Sequence, residues 1–277
     1  MTGTADTLID DLADEVASLA GVLSGAGDGA WDLPTPAEGW DVREQVIHLL
    51  MIDERCLWSI ADPARFTADM QQMAAAGGLE GIQSALRGME PARLTELWVE
   101  GAATLRQVGA AADPKARCLW YGPSMSVTSM LTARLMETWA HGQDICDALG
   151  ADRAPTDRLR HIAHIGVRAR PFSYAANKSV MPPVDVRVEL TAPSGGVWTW
   201  GEPSPDTVSP QSSGWRLWVT ARQNPSASPV TVSGDGPPQV HTPPDGAVSS
   251  TRTSTGGITL LFAAYENGRA RTPMWAM

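Results

Sequence analysis

The sequence predicts an α+β chain. An N-terminal bundle of four or more helices is expected over residues 1–178, with a smaller C-terminal α+β or β-rich module over 179–277. Three observations carry this expectation. In the first part apolar residues recur at steps of three and four, the spacing of one helix face. From about Val184 the spacing changes to strict alternation, the pattern of a half-buried strand. Composition shifts as well: residues 1–209 hold 28 acidic and 16 basic side chains against 3 and 5 in residues 210–277, and 10 of the 21 prolines fall within 191–250.

The elements follow in order. Leu8, Leu12, Val16, Leu19 and Leu23 line one face of a helix over about 4–24, stopped by Gly25 and Gly27. A loop rich in Trp, Pro and Gly runs from Trp31 to Trp40. Asp41 then caps a second helix, and Glu44 three residues on completes a capping box. Val42, Val46, Leu49, Leu50, Leu57 and Ile60 form the main stripe of that helix. His48, Ile52 and Cys56 form a second stripe, so burial on more than one face is expected. Pro63 ends it. Shorter helical stretches are expected near 66–75 and 79–88, and Pro91 suits the first turn of a helix reaching about Ala112. Ser124 or Ser126 caps a long helix that Gly150 closes. Thr156 caps a further helix to about Ala176, bent near Pro171. In the module, VDVRVELTAP, a Gly-Gly turn and VWTWG read as a strand, a turn and a strand. WRLWVTA (215–221) suits a third strand, 222–257 reads as loop or disorder, and ITLLFAAY (258–265) fits a strand or a helix equally.

Composition narrows the function. With 277 residues and 43% hydrophobic content the chain can bury a sizeable core. A formal net charge of −10 is the wrong sign for gripping nucleic acid or an anionic membrane surface. No apolar run approaches the roughly 20 residues of a membrane span. The acidic N-terminal stretch MTGTADTLIDDLADEV lacks the pattern of a secretion signal. Three cysteines, Cys56, Cys118 and Cys146, make neither a disulfide framework nor a zinc pattern. The expectation is a cytoplasmic protein acting on a small molecule. The sequence sets no oligomeric state.

The chemistry concentrates on the long helix. Glu137, His141 and Asp144 lie at i, i+4 and i+7 and therefore share a face. A Glu and a His one turn apart offer an oxygen and a neutral nitrogen to a single divalent ion. A catalytic site needs a third ligand, and His48, mid-helix and flanked by Ile47 and Leu49, is the best-placed of the five histidines. Its spacing fits a hydrogen-bonded core histidine as well as a ligand. His161 and His164, among arginines, suit a solvated face, and His241 lies in the poorly patterned tail. Asp53 suits a buried hydrogen-bonding group or a partner that orients a ligand. Cys56 and Cys146 read as small core residues, with a fourth thiolate ligand as the competing view.

Two segments carry a resemblance. GWDVREQVIHLLMIDE (39–54) resembles the second helix of the DinB-like, mycothiol-dependent maleylpyruvate isomerase family. RLMETWAHGQDICDALG (134–150) resembles that family's later metal-binding helix. VDVRVELTAPSGGVWTWG (184–201) is similar to the start of its C-terminal domain, so the likeness spans roughly residues 5–205. The resemblance implies a divalent metal on His48, Glu137 and His141, with Zn2+ first and Ni2+, Mn2+ or Fe2+ also accommodated. It implies mycothiol or another low-molecular-weight thiol as cosubstrate, and an isomerase or S-transferase acting on a small electrophile. Asp144 is the one evident acidic candidate for a base. Arg222 is the candidate counterpart of basic residues in the family's C-terminal segment, although the chain departs from the family's pattern after about 210. A metal-dependent hydrolase and a non-catalytic metal- or ligand-binding protein of the same fold are the alternatives.

Overall fold

The structure is a computed structural model. It describes residues 4–76, 80–176, 180, 187–202, 207–208, 232–233, 265–266 and 269–270. The chain divides into two compact units, one reaching Ala154 and the other starting at Pro155. The expected boundary at 178/179 lies outside the described residues. The contact division groups the helix after Thr156 with the strands that follow it.

The first unit is helical. It contains α1 (Thr4–Ser24), α2 (Val42–Ala61), α3 (Pro63–Ala76), α4 (Glu80–Arg87), α5 (Pro91–Ala111) and α6 (Val127–Leu149). The four long helices form a ring in which α1 and α2 each pack against both α5 and α6. The expected stripe of α1 is its buried edge: Leu8, Leu12, Val16, Leu19 and Leu23 all face the core. Helix α6 is buried almost all round, from Val127 and Met130 through Leu135 and Trp139 to Ile145. That burial on every side explains why polar groups along α6 must find partners inside the protein.

Local chemistry sets the helix ends. Asp41 Oδ1 accepts from the Glu44 amide at 2.8 Å and Glu44 Oε2 accepts from the Asp41 amide at 3.1 Å, a complete capping box. Of the two serine candidates it is Ser126 that caps α6, its hydroxyl accepting from the Ser129 amide. Gly150 closes α6 in the left-handed region at φ 62°, which costs an L side chain its ordinary backbone freedom. Pro63 both follows the end of α2 and opens α3, a position where its missing N–H is no loss. Within α2, Ile47 and Met51 are fully buried, while Leu50, Leu57 and Ile60 of the expected main stripe are half-buried. The helix is thus buried on more than one side.

Three small elements escaped the sequence reading. Residues Asp28–Asp32 make a 3-10 turn that buries Trp31. Pro34 and Asp41 form an isolated antiparallel bridge around Gly39, which adopts φ 78°. Strands β1 (Arg117–Cys118) and β2 (Met125–Ser126) pair antiparallel just before α6.

The second unit holds α7 (Leu159–Ala176), with Pro171 inside it, and a four-stranded sheet. Strands β3 (Arg187–Thr191) and β4 (Val197–Trp200) form the expected hairpin, turned by Gly195 at φ 90°. Strand β5 (Thr207–Val208) joins β3 in parallel, and β6 (Val232–Ser233) pairs antiparallel with β5. Strands β7 (Tyr265–Glu266) and β8 (Arg269–Ala270) form a separate pair. The expected strand at 215–221 lies outside the described residues, as does most of 222–257 and 258–265, of which β6 and the start of β7 are described.

Helix α7 meets the hairpin through a bond from Trp200 Nε1 to His164 Nδ1 at 3.1 Å. His164 must be neutral at Nδ1 to accept it. Burial, then the charges of Arg168, His161 and Arg160, hold its imidazole below the ordinary value of 6.5. A depressed histidine favours the folded contact above that value and loses it as pH falls through the lowered midpoint. Acidification from neutral pH is therefore expected to break the bond to His164, read in NMR as a shift of the Trp200 indole N–H resonance that follows the protonation of His164. An indole resonance unchanged well below the ordinary imidazole range would contradict this assignment.

Candidate metal centre

Helices α2 and α6 pack side by side, and this brings three donors together from distant parts of the chain. His48 Nε2 lies 3.0 Å from Glu137 Oε2, across 89 residues of sequence. His141 Nε2 lies 3.2 Å from the same oxygen, one helical turn along α6. The two imidazole centroids are 4.5 Å apart. One donor atom from each residue falls within 4.8 Å of the others, and among the described residues this is the group able to hold a metal ion. The donor set is two imidazoles and one carboxylate, which suits Zn2+ or a similar divalent ion. One carboxylate oxygen faces two ring nitrogens, so the three side chains already point at a common centre.

The centre is enclosed but not sealed. The Glu137 and His141 side chains are 8% and 7% exposed, while that of His48 is 18% exposed and marks the open side. Trp40 walls the imidazoles: its ring stacks on His141 at 5.7 Å and 11° and tilts against His48 at 5.2 Å. Burial opposes the ionised form of Glu137, but hydrogen bonds from His141 and His48 outweigh it and hold the carboxyl well below the usual carboxylate range. An ionised carboxylate is the form that ligates a cation.

Behind the centre sits a buried ion pair. Arg134 Nε donates to Asp53 Oδ1 at 2.8 Å, and Trp98 Nε1 donates to Asp53 Oδ2 at 3.1 Å. Arg134 Nη1 lies 4.0 Å from Glu137 Oε2, one turn along the same helix. Burial pushes the Asp53 carboxyl up, and Arg134 and Trp98 pull it back part of the way. Asp53 thus ties α2 to α5 and α6 at the level of the donors.

A second set of bonds reaches His141. Its Nδ1 meets Gln45 Oε1, and Gln45 Nε2 donates to Thr35 Oγ1 at 2.8 Å and to Asp144 Oδ2 at 3.3 Å. Asp144 is buried and sits in this network. Arg222 lies outside the described residues. Cys56 and Cys146 are buried and outside any disulfide, and burial pushes the Cys56 thiol up, away from the thiolate a ligand needs. The sequence reading missed Gln45, Arg134 and Trp40. Gln45 lies one turn before His48 and Arg134 one turn before Glu137, and a polar residue at that offset on a buried helix was the available signal.

A helical bundle of the DinB-like type with a His, His, Glu donor set between two of its helices defines the class of protein. The family described as the mycothiol maleylpyruvate isomerase N-terminal domain matches residues 12–146. Two uncharacterised proteins of Mycobacterium tuberculosis, from strains CDC 1551 / Oshkosh and ATCC 25618 / H37Rv, are each 37% identical over 228 residues, covering 81% of this chain and 89% of theirs. The chain belongs to one family with these mycobacterial proteins, and its residues 12–146 are a mycothiol maleylpyruvate isomerase N-terminal domain. The crystal structure of the mycothiol-dependent maleylpyruvate isomerase shares the fold at a TM-score of 0.53 and 15% identity, covering 85% of this chain and 95% of that one. A histidine-to-alanine variant of that enzyme matches at a TM-score of 0.50 and 14% identity, over 80% and 90% of the two chains.

Removing one member of the buried ion pair leaves the other charged and uncompensated. Asp53→Ala is expected to cost about 3–5 kcal/mol in urea unfolding, and Asp53→Leu with Arg134→Met to recover most of that loss. A single-variant cost below about 1 kcal/mol, the range of an exposed pair, would contradict the buried arrangement.

Proposed function

We propose that the chain is a metal-dependent, thiol-using isomerase or S-transferase that acts on a small electrophilic molecule. His48, Glu137 and His141 are the ligands. The observation that carries the reading is the convergence of their three donor atoms within 4.8 Å from two separate helices, in a chain of this family. When bound, a divalent ion with three protein ligands keeps open positions, lowers the pKa of a thiol and polarises an electrophile. Zn2+ is the first choice for such a donor set, and Ni2+, Mn2+ and Fe2+ are the others it accommodates.

The chain's own residues do the rest. His48 and His141 offer neutral nitrogens, and Glu137 supplies the negative charge. Trp40 covers one side of the imidazoles and excludes water there, so that reactants enter past the more exposed His48. Mycothiol is the thiol that the relatives' names point to, and maleylpyruvate the electrophile. In such an isomerisation the thiol sulfur adds to an activated double bond, the resulting single bond rotates, and elimination restores the double bond and the thiol. The net change is geometry alone. The same addition without elimination is an S-transfer. Asp144 is a proton-handling candidate for either outcome, and it is linked to His141 through the Gln45 side chain.

Elemental analysis of the purified protein is expected to give one divalent metal per chain, lost in both His48→Ala and His141→Ala with helical circular dichroism kept. Metal-loaded protein is then expected to consume maleylpyruvate only when mycothiol is added. Turnover without thiol would favour a hydrolase, and metal uptake with no turnover of any electrophile tried would favour a binding protein. Full metal retention in both variants would overturn the ligand assignment.

A further inference from the structure

We infer that Gln45 is a positioning residue that fixes the tautomer of His141, with Asp144 and Thr35 holding the amide in the required orientation. Hydrogen-bond direction alone decides this. Thr35 Oγ1 lies 2.8 Å from the Trp40 carbonyl oxygen, so its single hydrogen is committed there. Facing Gln45, the same hydroxyl is left only with lone pairs, and the group 2.8 Å away must be the amide nitrogen of Gln45. The Asp144 carboxylate oxygen, 3.3 Å from the same nitrogen, imposes the same choice. With its nitrogen turned to Thr35 and Asp144, Gln45 presents Oε1 to His141 Nδ1. An amide oxygen cannot donate, so Nδ1 must carry the proton. Nε2 is then the ring atom left to ligate: without a cation its proton is donated to Glu137 Oε2 at 3.2 Å, and a bound cation would take that proton's place while Nδ1 keeps its own.

The loop before α2 is part of this device. The Trp40 carbonyl oxygen that occupies the Thr35 hydroxyl also accepts from the Thr35 amide at 2.8 Å, and Gly39 at φ 78° allows the chain to turn back there. The Trp40 ring stacks on the imidazole that Gln45 holds. Ring plane and proton position of His141 are therefore set together by one short stretch, Thr35–Gln45. In holding the amide, Asp144 acts on His141 through Gln45. The metal arm of the test below rests on the ligand set proposed above, whereas the tautomer arm does not.

Long-range 15N NMR of the metal-free protein reads the proton on each ring nitrogen directly. Wild-type His141 is expected to carry a proton on Nδ1. In Gln45→Leu, which keeps the bulk and removes the acceptor, Nδ1 is expected to lose it and the ring to keep only the Nε2 proton that faces Glu137. Zn2+ affinity of the same variant, by chelator competition, is expected to fall about 10–100-fold, the usual cost of losing such a partner. A wild-type His141 without a proton on Nδ1 would overturn the inference, as would a Gln45→Leu variant that keeps the Nδ1 proton. Wild type that binds no Zn2+ would instead sink the ligand assignment, leaving the NMR result to decide this one.

Discussion

Glu137 Oε2 faces two imidazole nitrogens at once, 3.0 Å from His48 and 3.2 Å from His141, and the rest of the bundle serves that arrangement. Two donors come from one helix, where the i, i+4 spacing is automatic. The third comes from a helix far away in sequence, so its arrival depends on how α2 seats against α6. That seating is fixed from several directions. The capping box at Asp41 sets where α2 begins, Asp53 ties its middle to Arg134 and Trp98, and Gln45 reaches across to His141 and Asp144. A slip of one residue along α2 would turn His48 by about 100° and break all of these together.

The polar groups around the donors carry two different duties. The Asp53–Arg134 pair is fully buried and holds helices, at an electrostatic cost that good geometry must offset. The Gln45 set orients a ring. Such partners matter because a ligand imidazole that is free to rotate or to exchange tautomers presents the wrong atom part of the time. Trp40 adds a steric wall to the electrostatic one. The centre thus combines rigid support on the inner side with its greatest exposure at His48.

Much of the bundle was legible from residue spacing. The stripe of α1, the box at Asp41, the first-turn proline at Pro91 and the glycine stop at Gly150 each express a local rule that the fold obeys. Glu137 and His141 were legible as a pair for the same reason. His48 was not determined by local spacing, because its alternatives differ only in what another helix brings to it, and it was the likeness of two segments to a known family that singled it out. Gln45 and Arg134 went unread because a polar residue on an amphipathic helix ordinarily faces water, and only the packing of α6 on all sides reverses that expectation. Helix α7 was legible as a helix and was expected with the bundle of residues 1–178, but its apolar face has no label for its partner, and the contact division groups it with the strands that follow. The module's hairpin followed from alternation and the Gly-Gly turn. The two-residue strands Thr207–Val208 and Val232–Ser233 are too short to leave a period.

The central claim is that one cation sits among His48, Glu137 and His141. Anomalous diffraction from crystals of the zinc-loaded protein, collected on either side of the metal's absorption edge, tests it most directly. A single strong peak at bonding distance, about 2.0–2.2 Å, from all three side chains is the expected result. A peak bound elsewhere on the chain, or density showing the three donors filled by their own mutual hydrogen bonds in saturating zinc, would contradict it.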